Sequence, residues 1–133
     1  MKTKTISAVI AIIFLSNIYT MAQMTLAEAT KGKFLFGVAV NMQQVNGINP
    51  TESELIAKEF NAIVAENCMK PQPIHPQEDK YQWTDADKFV AFGEKNKQVI
   101  TGHCLIWHSQ IGRWFFVDEN GKDVTPEVLK ERM

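Results

Sequence analysis

The chain has 133 residues, 14 basic against 15 acidic side chains, a net charge of −1 and a 45% hydrophobic share. That suits one modest folded domain of roughly 100 to 150 residues. Balanced charge without a Lys/Arg-rich run excludes a nucleic-acid binder, an acidic tail and a disordered chain, and seven Gly with five Pro exclude collagen-like and low-complexity classes.

The chain opens with Lys2 and Lys4, an apolar run from Ile6 to Leu15, and polar residues ending in Thr20-Met21-Ala22. This predicts a signal peptide, residues 1–22, cleaved after Ala22, and hence a secreted or periplasmic protein. A membrane anchor is the alternative, but the run falls short of the roughly 18 to 20 apolar residues that span a bilayer, so no membrane is expected after cleavage. Export exposes Cys68 and Cys104 to oxidation. Two cysteines are too few for a disulfide scaffold, and their apolar neighbours point to buried free thiols.

No internal repeat or flexible linker divides residues 23–133. Phe34 to Val40 is a nearly continuous apolar run, predicting a strand buried on both faces, and Gly37 within it predicts close backbone approach. Pro50 to Phe60 reads as a helix with Thr51 as cap and Glu54 reaching back to it. Ala62 to Ala65 is a second strand, running into Glu66 and Asn67. After a loop containing Pro71, Pro73 and Pro76, residues 84–96 predict a helix capped by Thr84, with Asp85 and Asp87 at its amino end and Phe89, Val90 and Phe92 on its apolar face. Val99 to Ile106 predicts a third strand. Thr125-Pro126-Glu127 opens a third helix, in which Met133 falls.

The order strand, helix, strand, helix, strand, helix predicts a parallel sheet with right-handed crossovers. With helices on one side, the other sheet face lacks a covering layer. A closed barrel of such units takes about 250 residues. The fold class expected is therefore α/β, a TIM (β/α)8 barrel of which the first three strand-helix units are present, residues 23–133 forming an incomplete amino-terminal part.

Parallel barrels carry their chemistry where strands end. There the sequence places Glu66, Asn67 and Lys70, a carboxylate, an amide and an ammonium within five residues, a set that matches vicinal hydroxyls. An ordinary Glu66–Lys70 ion pair is the alternative. On an extended segment, His103, Leu105 and Trp107 share one face while Cys104 and Ile106 point to the other. A Trp beside a His can stack on a sugar ring, and His108, Ser109, Gln110 and Trp114 follow; equally, Trp107 and Trp114 can be packing residues and His103 a core histidine. His75, His103, His108, Cys68 and Cys104 have poor spacing for a metal, and no Cys-x-x-Cys or His-Glu-x-x-His occurs. Phosphate-binding and Gly-x-Ser-x-Gly signatures are equally missing from the sequence.

Glu66-Asn67-Cys68-Met69-Lys70-Pro71-Gln72, then Tyr81-Gln82-Trp83 with Ala86-Asp87, then Gly102-His103-Cys104-Leu105-Ile106-Trp107-His108-Ser109-Gln110 resemble glycoside hydrolase family 10, the endo-β-1,4-xylanases. Phe34 to Ala39 is similar to that family's first barrel strand. The resemblance runs from about Lys33 to Met133 and implies a (β/α)8 barrel that cleaves internal xylosidic bonds of xylan with retention. It implies no cofactor, no metal, xylan and xylo-oligosaccharides as partners, and a monomer at full length. Carried over by motif position, Glu66, Asn67 and Lys70 bind sugar hydroxyls on the non-reducing side of the cleavage point, while His103 and Trp107 contact the sugar at the reaction centre and Gln110 lines the same cleft. His108 would order the catalytic carboxylates from behind. Cys104 departs from the family, which more often has Thr there. Retention needs two carboxyl groups about 5 Å apart, and in the family both are Glu at the ends of the fourth and seventh strands. Both positions lie beyond Met133, so residues 1–133 alone are expected to be inactive. A non-catalytic carbohydrate-binding remnant is the alternative, and a small α/β domain using these residues only for packing is a third.

Overall fold

The computed structural model describes residues 23–133, and the expected signal peptide lies outside them. A short helix α1 (Leu26–Thr30) precedes strand β1 (Gly37–Val40), followed by α2 (Met42–Val45), α3 (Pro50–Glu59), β2 (Ala62–Ala65), α4 (Pro71–Ile74), α5 (Thr84–Lys95), β3 (Val99–Thr101), a 3-10 turn at Arg113–Phe115, and α6 (Pro126–Arg132). The strands form one parallel sheet in the order β1-β2-β3. Among the described residues, no helix is long and apolar enough to cross a membrane.

Register and alternation sort the side chains. Val38 pairs with Ile63, which pairs with Ile100, and Val40 pairs with Ala65, so these residues share one face. Against that face lie Ile56 of α3 and Phe89 of α5, making a core in which Val40, Ile63 and Phe89 are almost fully buried. Burying each such side chain stabilises the fold by about 1.5 to 3 kcal/mol. Gly37, Ala39, Val64, Val99 and Thr101 face the other way and leave a largely uncovered layer, as one-sided helix packing requires. The expectation of a first strand buried on both faces is thereby corrected, since Gly37 and Ala39 are exposed. Close approach at Gly37 does occur: a Cβ there would lie 3.3 Å from the Ala62 side chain and carbonyl oxygen.

Gly93 fits α5 onto the sheet. A Cβ at this buried position would meet the Ile100 side chain at 2.6 Å and the Ile63 side chain at 2.9 Å. Gly93→Ala gains up to about 1 kcal/mol of helix propensity but overpacks a site where displacement costs about 1 to 3 kcal/mol. The clash wins because Ile63 is itself 1% exposed and has nowhere to go. A lower urea midpoint with an unchanged slope is the expected result; an unchanged or higher midpoint would show that the helix simply lifts.

Several local expectations shift. The helix expected over Pro50 to Phe60 is found, but Thr51 is not its cap: Asn49 is the N-cap without a side-chain cap bond, Pro50 takes the first helical position, and Thr51 lies inside the first turn. The pre-set φ of Pro fixes that start. Similarly, Trp83 already has helical backbone angles, so Thr84 begins α5 instead of capping it. Pro71–Ile74, expected as loop, forms the one-turn helix α4. The α1 helix, absent from the expectations, carries a legible Thr25-x-x-Glu28 capping box, with Glu28 N–H donating to Thr25 Oγ1 and Thr25 N–H to Glu28 Oε2. Thr125 caps α6 as expected, accepting from Val128 N–H.

Both outer strands are shorter than their apolar runs. Phe34 and Leu35 lie outside β1 and are exposed, while Phe36 stacks on Phe60 at 5.3 Å. The expected third strand, Val99 to Ile106, ends at Thr101 opposite Val64. Its neighbour β2 stops at Ala65, leaving residues 103–106 no ladder to join. The expected alternation beyond Thr101 therefore fails, and Leu105 stands 95% exposed.

Candidate functional site

The groups singled out from the sequence gather at the carboxyl end of the sheet. Glu66 leaves β2 with its N–H donating to Val40 O at 3.0 Å, tying the exits of β1 and β2 together. Lys70 follows after a tight turn, its N–H bonded to Asn67 O. Its side chain, 7% exposed, folds back so that Nζ donates to Asn67 Oδ1 at 2.9 Å. The same ammonium lies 4.6 Å from the ring centroid of Trp107. Asn67, Lys70 and Trp107 thus form one contact chain across two strand-end segments, held by a charge-assisted hydrogen bond and a cation–π contact.

His103 and His108 flank that indole. The His103 ring is 6.2 Å from the Trp107 ring and tilted, and the His108 ring meets it edge-on at 5.0 Å. Both histidines are exposed, so His103 is not a core histidine. Gln110 is anchored through its backbone: its carbonyl accepts from Gln72 N–H at 2.9 Å, and its φ is +50°. Glu66 and Asn67 are exposed. Among the described residues the ion pairs are Lys58–Glu59 and Glu78–Arg132, so Glu66 and Lys70 do not neutralise each other. A buried ammonium without an acid beside it is costly, and Lys70 meets that cost only with an amide oxygen and a π face. Such a group is poised to donate to further neutral oxygens.

Trp114 has the packing role. Its Nε1–H donates to His75 O at 3.0 Å, and its ring contacts His75 and Phe115. A cavity of about 480 Å³, lined by residues including His75, Trp83, Leu105 and Phe115, lies behind this cluster and touches neither Lys70 nor Trp107. Cys104 lies at the edge of a second cavity of about 360 Å³ with Met69, Trp83 and Ala86 of α5. Among the described residues no His, Cys, Asp or Glu group is arranged to hold a metal ion.

Both cysteines are free thiols, Cys68 buried and Cys104 half-buried. Burial, and secondarily the Asp85 charge, push the Cys68 thiol above its ordinary range. A raised thiol pKa means less thiolate at neutral pH. Cys68 should therefore resist iodoacetamide at pH 7.5 in native protein and react fully once unfolded, as read by peptide mass spectrometry. Rapid native labelling would contradict its burial.

Two contributions to this region escape a residue-by-residue reading. Asn41, at the exit of β1, uses its side chain to cap α2, accepting from Gln43 and Gln44 N–H while Gln44 Oε1 accepts from Asn41 N–H. Its Asn-x-x-Gln pattern is a legible capping signal. Arg132, 62 residues beyond Lys70 in sequence, reaches back to the segment carrying Trp114, and nothing local marks it.

A match to the family described as glycosyl hydrolase family 10 covers residues 25–133. The chain belongs to that family. Endo-1,4-beta-xylanase A of Xylanibacter ruminicola is 48% identical over 111 residues, which is 84% of this chain and 30% of that protein. Endo-1,4-beta-xylanase A of Thermotoga maritima is 43% identical over 112 residues, 81% of this chain and 10% of that protein. Among solved structures, a psychrophilic family 10 endo-beta-1,4-xylanase superposes with a TM-score of 0.73 at 42% identity, covering 81% of this chain and 32% of that one. Another, solved in complex with xylotriose, gives 0.73 at 35% identity, covering 81% and 32%. The family 10 chain described here thus spans about a third or less of these relatives. Its three parallel strands with helices on one face are part of the family's (β/α)8 barrel, the fold expected from the sequence.

Proposed function

We propose that this chain is the amino-terminal part of an exported endo-1,4-β-xylanase that hydrolyses internal xylosidic bonds of xylan with retention, and that its share of the reaction is to grip the sugar. The observation that carries the reading is the Asn67–Lys70–Trp107 contact chain at the sheet's carboxyl end. The Lys70 ammonium has donor capacity left after Asn67, Asn67 offers an amide that both donates and accepts, and Glu66 only accepts when ionised. A xylose unit presents hydroxyls that need both kinds of partner. Trp107 supplies a ring face for the sugar's C–H surface, with His103 and His108 flanking the indole.

Retention needs an acid/base and a nucleophilic carboxyl about 5 Å apart. Of the seven site residues only Glu66 is a carboxylate, one where retention needs two, and its motif position gives it a sugar-binding role. Residues 23–133 alone are thus proposed to bind without cleaving. Lys2, Lys4, the Ile6–Leu15 run and Ala22 support export with cleavage after Ala22.

The test is a xylotriose titration by calorimetry with cellotriose as control, since one relative is named an exoglucanase, alongside a reducing-sugar assay on xylan. Xylotriose binding in preference to cellotriose with no sugar release is the expected result. Indifference to both sugars would remove the binding reading, and release of xylobiose would show that residues 23–133 are themselves catalytic.

A further inference from the structure

Twenty-four residues, from Gly102 to Thr125, join β3 to α6, and the proposed sugar-contacting side chains Trp107 and Gln110 ride on this segment. Long connections without regular structure are mobile unless pinned. The pins are found on its far side. Arg132, near the end of α6, is 15% exposed in its side chain and spends its guanidinium on two separate segments. Its Nε and Nη2 donate to the two carboxylate oxygens of Glu78 at 3.1 and 3.0 Å, a bidentate grip on the connection between β2 and α5. Its Nη1 donates to the carbonyls of Trp114 and Val117, gripping the connection that carries Trp107.

One group therefore ties the two loops that build the site. A planar guanidinium with fixed donors suits this; a lysine ammonium has no such fork. Two further contacts run between the same loops: Trp114 Nε1–H to His75 O, and Gln72 N–H to Gln110 O. Packing closes the arrangement, since a Cβ on Gly112 would lie 2.7 Å from the Trp114 indole and 3.4 Å from Pro76 O. The Lys70–Trp107 contact spans these loops as well, so its distance depends on how they are locked.

We propose that Arg132 is a positioning residue for the sugar site: by clamping Glu78 to the Trp114 and Val117 carbonyls, it fixes Trp107 over Lys70. The inference rests on the sugar-binding reading for its consequence, but the clamp can be tested without sugar. Trp107's ring current should move the Lys70 ε-methylene protons upfield in the NMR spectrum of the full chain, which reports the contact directly. In Arg132→Met that upfield displacement should collapse and xylotriose affinity fall about 10-fold, a loss within the range of couplings through packed networks. Arg132→Lys, keeping charge but not the fork, should restore only part of either. A folded Arg132→Met protein with wild-type shift and affinity would overturn the proposal, even if its melting temperature had dropped. Should Arg132→Met fail to fold, Glu78→Gln decides by the same two readouts, because it removes the carboxylate charge from a 56% exposed side chain and leaves the carbonyl bonds in place. If wild-type protein shows the displaced Lys70 signals yet ignores xylotriose, the sugar reading fails, and the ring-current comparison alone judges the clamp.

Discussion

Phe89→Ala is expected to leave the protein unfolded at 25 °C. Phe89 is 0% exposed and stands where α5 meets the sheet, in the cluster with Val40, Ile56 and Ile63. Truncating a buried Phe costs about 3 to 5 kcal/mol, against a total of about 5 to 15 for ordinary domains. Among the described residues the margin is thinner, because helices cover one face of the sheet and β1 and β3 are both edges. Phe92, one helical turn on, is only partly buried and cannot take over. Loss of the far-UV circular dichroism of the native fold, together with loss of a cooperative melt, is the measurement. A variant melting within a few degrees of wild type would place the core elsewhere.

Lys70→Met is expected to separate stability from binding. Methionine keeps an unbranched stem of similar reach and removes a buried ammonium whose partners are an amide oxygen and an indole face. Relieving an incompletely compensated buried charge should raise the melting temperature. Binding should move the other way: a hydrogen bond from a charged donor is worth about 1.5 to 3 kcal/mol, so xylotriose affinity should fall about 10- to 100-fold. Stability gained where function is lost marks a side chain kept for its ligand. A Lys70→Met protein that is both less stable and fully binding would make Lys70 a structural residue and remove it from the site.

Legibility in the sequence varied with how local the cause was. Ala62–Ala65 is a strand because four small or β-branched apolar residues lie between polar ends, and its bounds match expectation. The helix at Thr84–Lys95 and the Thr125 cap were legible from contacts within one turn, although Thr84 is the first helical residue and not the cap. The start at Pro50 was legible but its cap was not, because two local signals competed and the ring of Pro50 outweighed the hydroxyl of Thr51. The motifs around Glu66–Gln72 and Gly102–Gln110 marked the family correctly. They placed the site groups at strand ends, although the alternation invoked for His103 to Trp107 did not hold.

What the amino-acid order determined by itself was the parallel strand-helix order, the apolar helix face carrying Phe89, and the clustering of polar groups behind each strand, because periodicity and capping act within a few residues. Tertiary structure alone decided the rest. It stopped β3 at Thr101, since a strand extends only as far as its neighbour offers a ladder. It laid Lys70 across Trp107 and brought Arg132 to Glu78 and Trp114, since a charge buried by one segment must find its partners on whichever segments the fold sets against it.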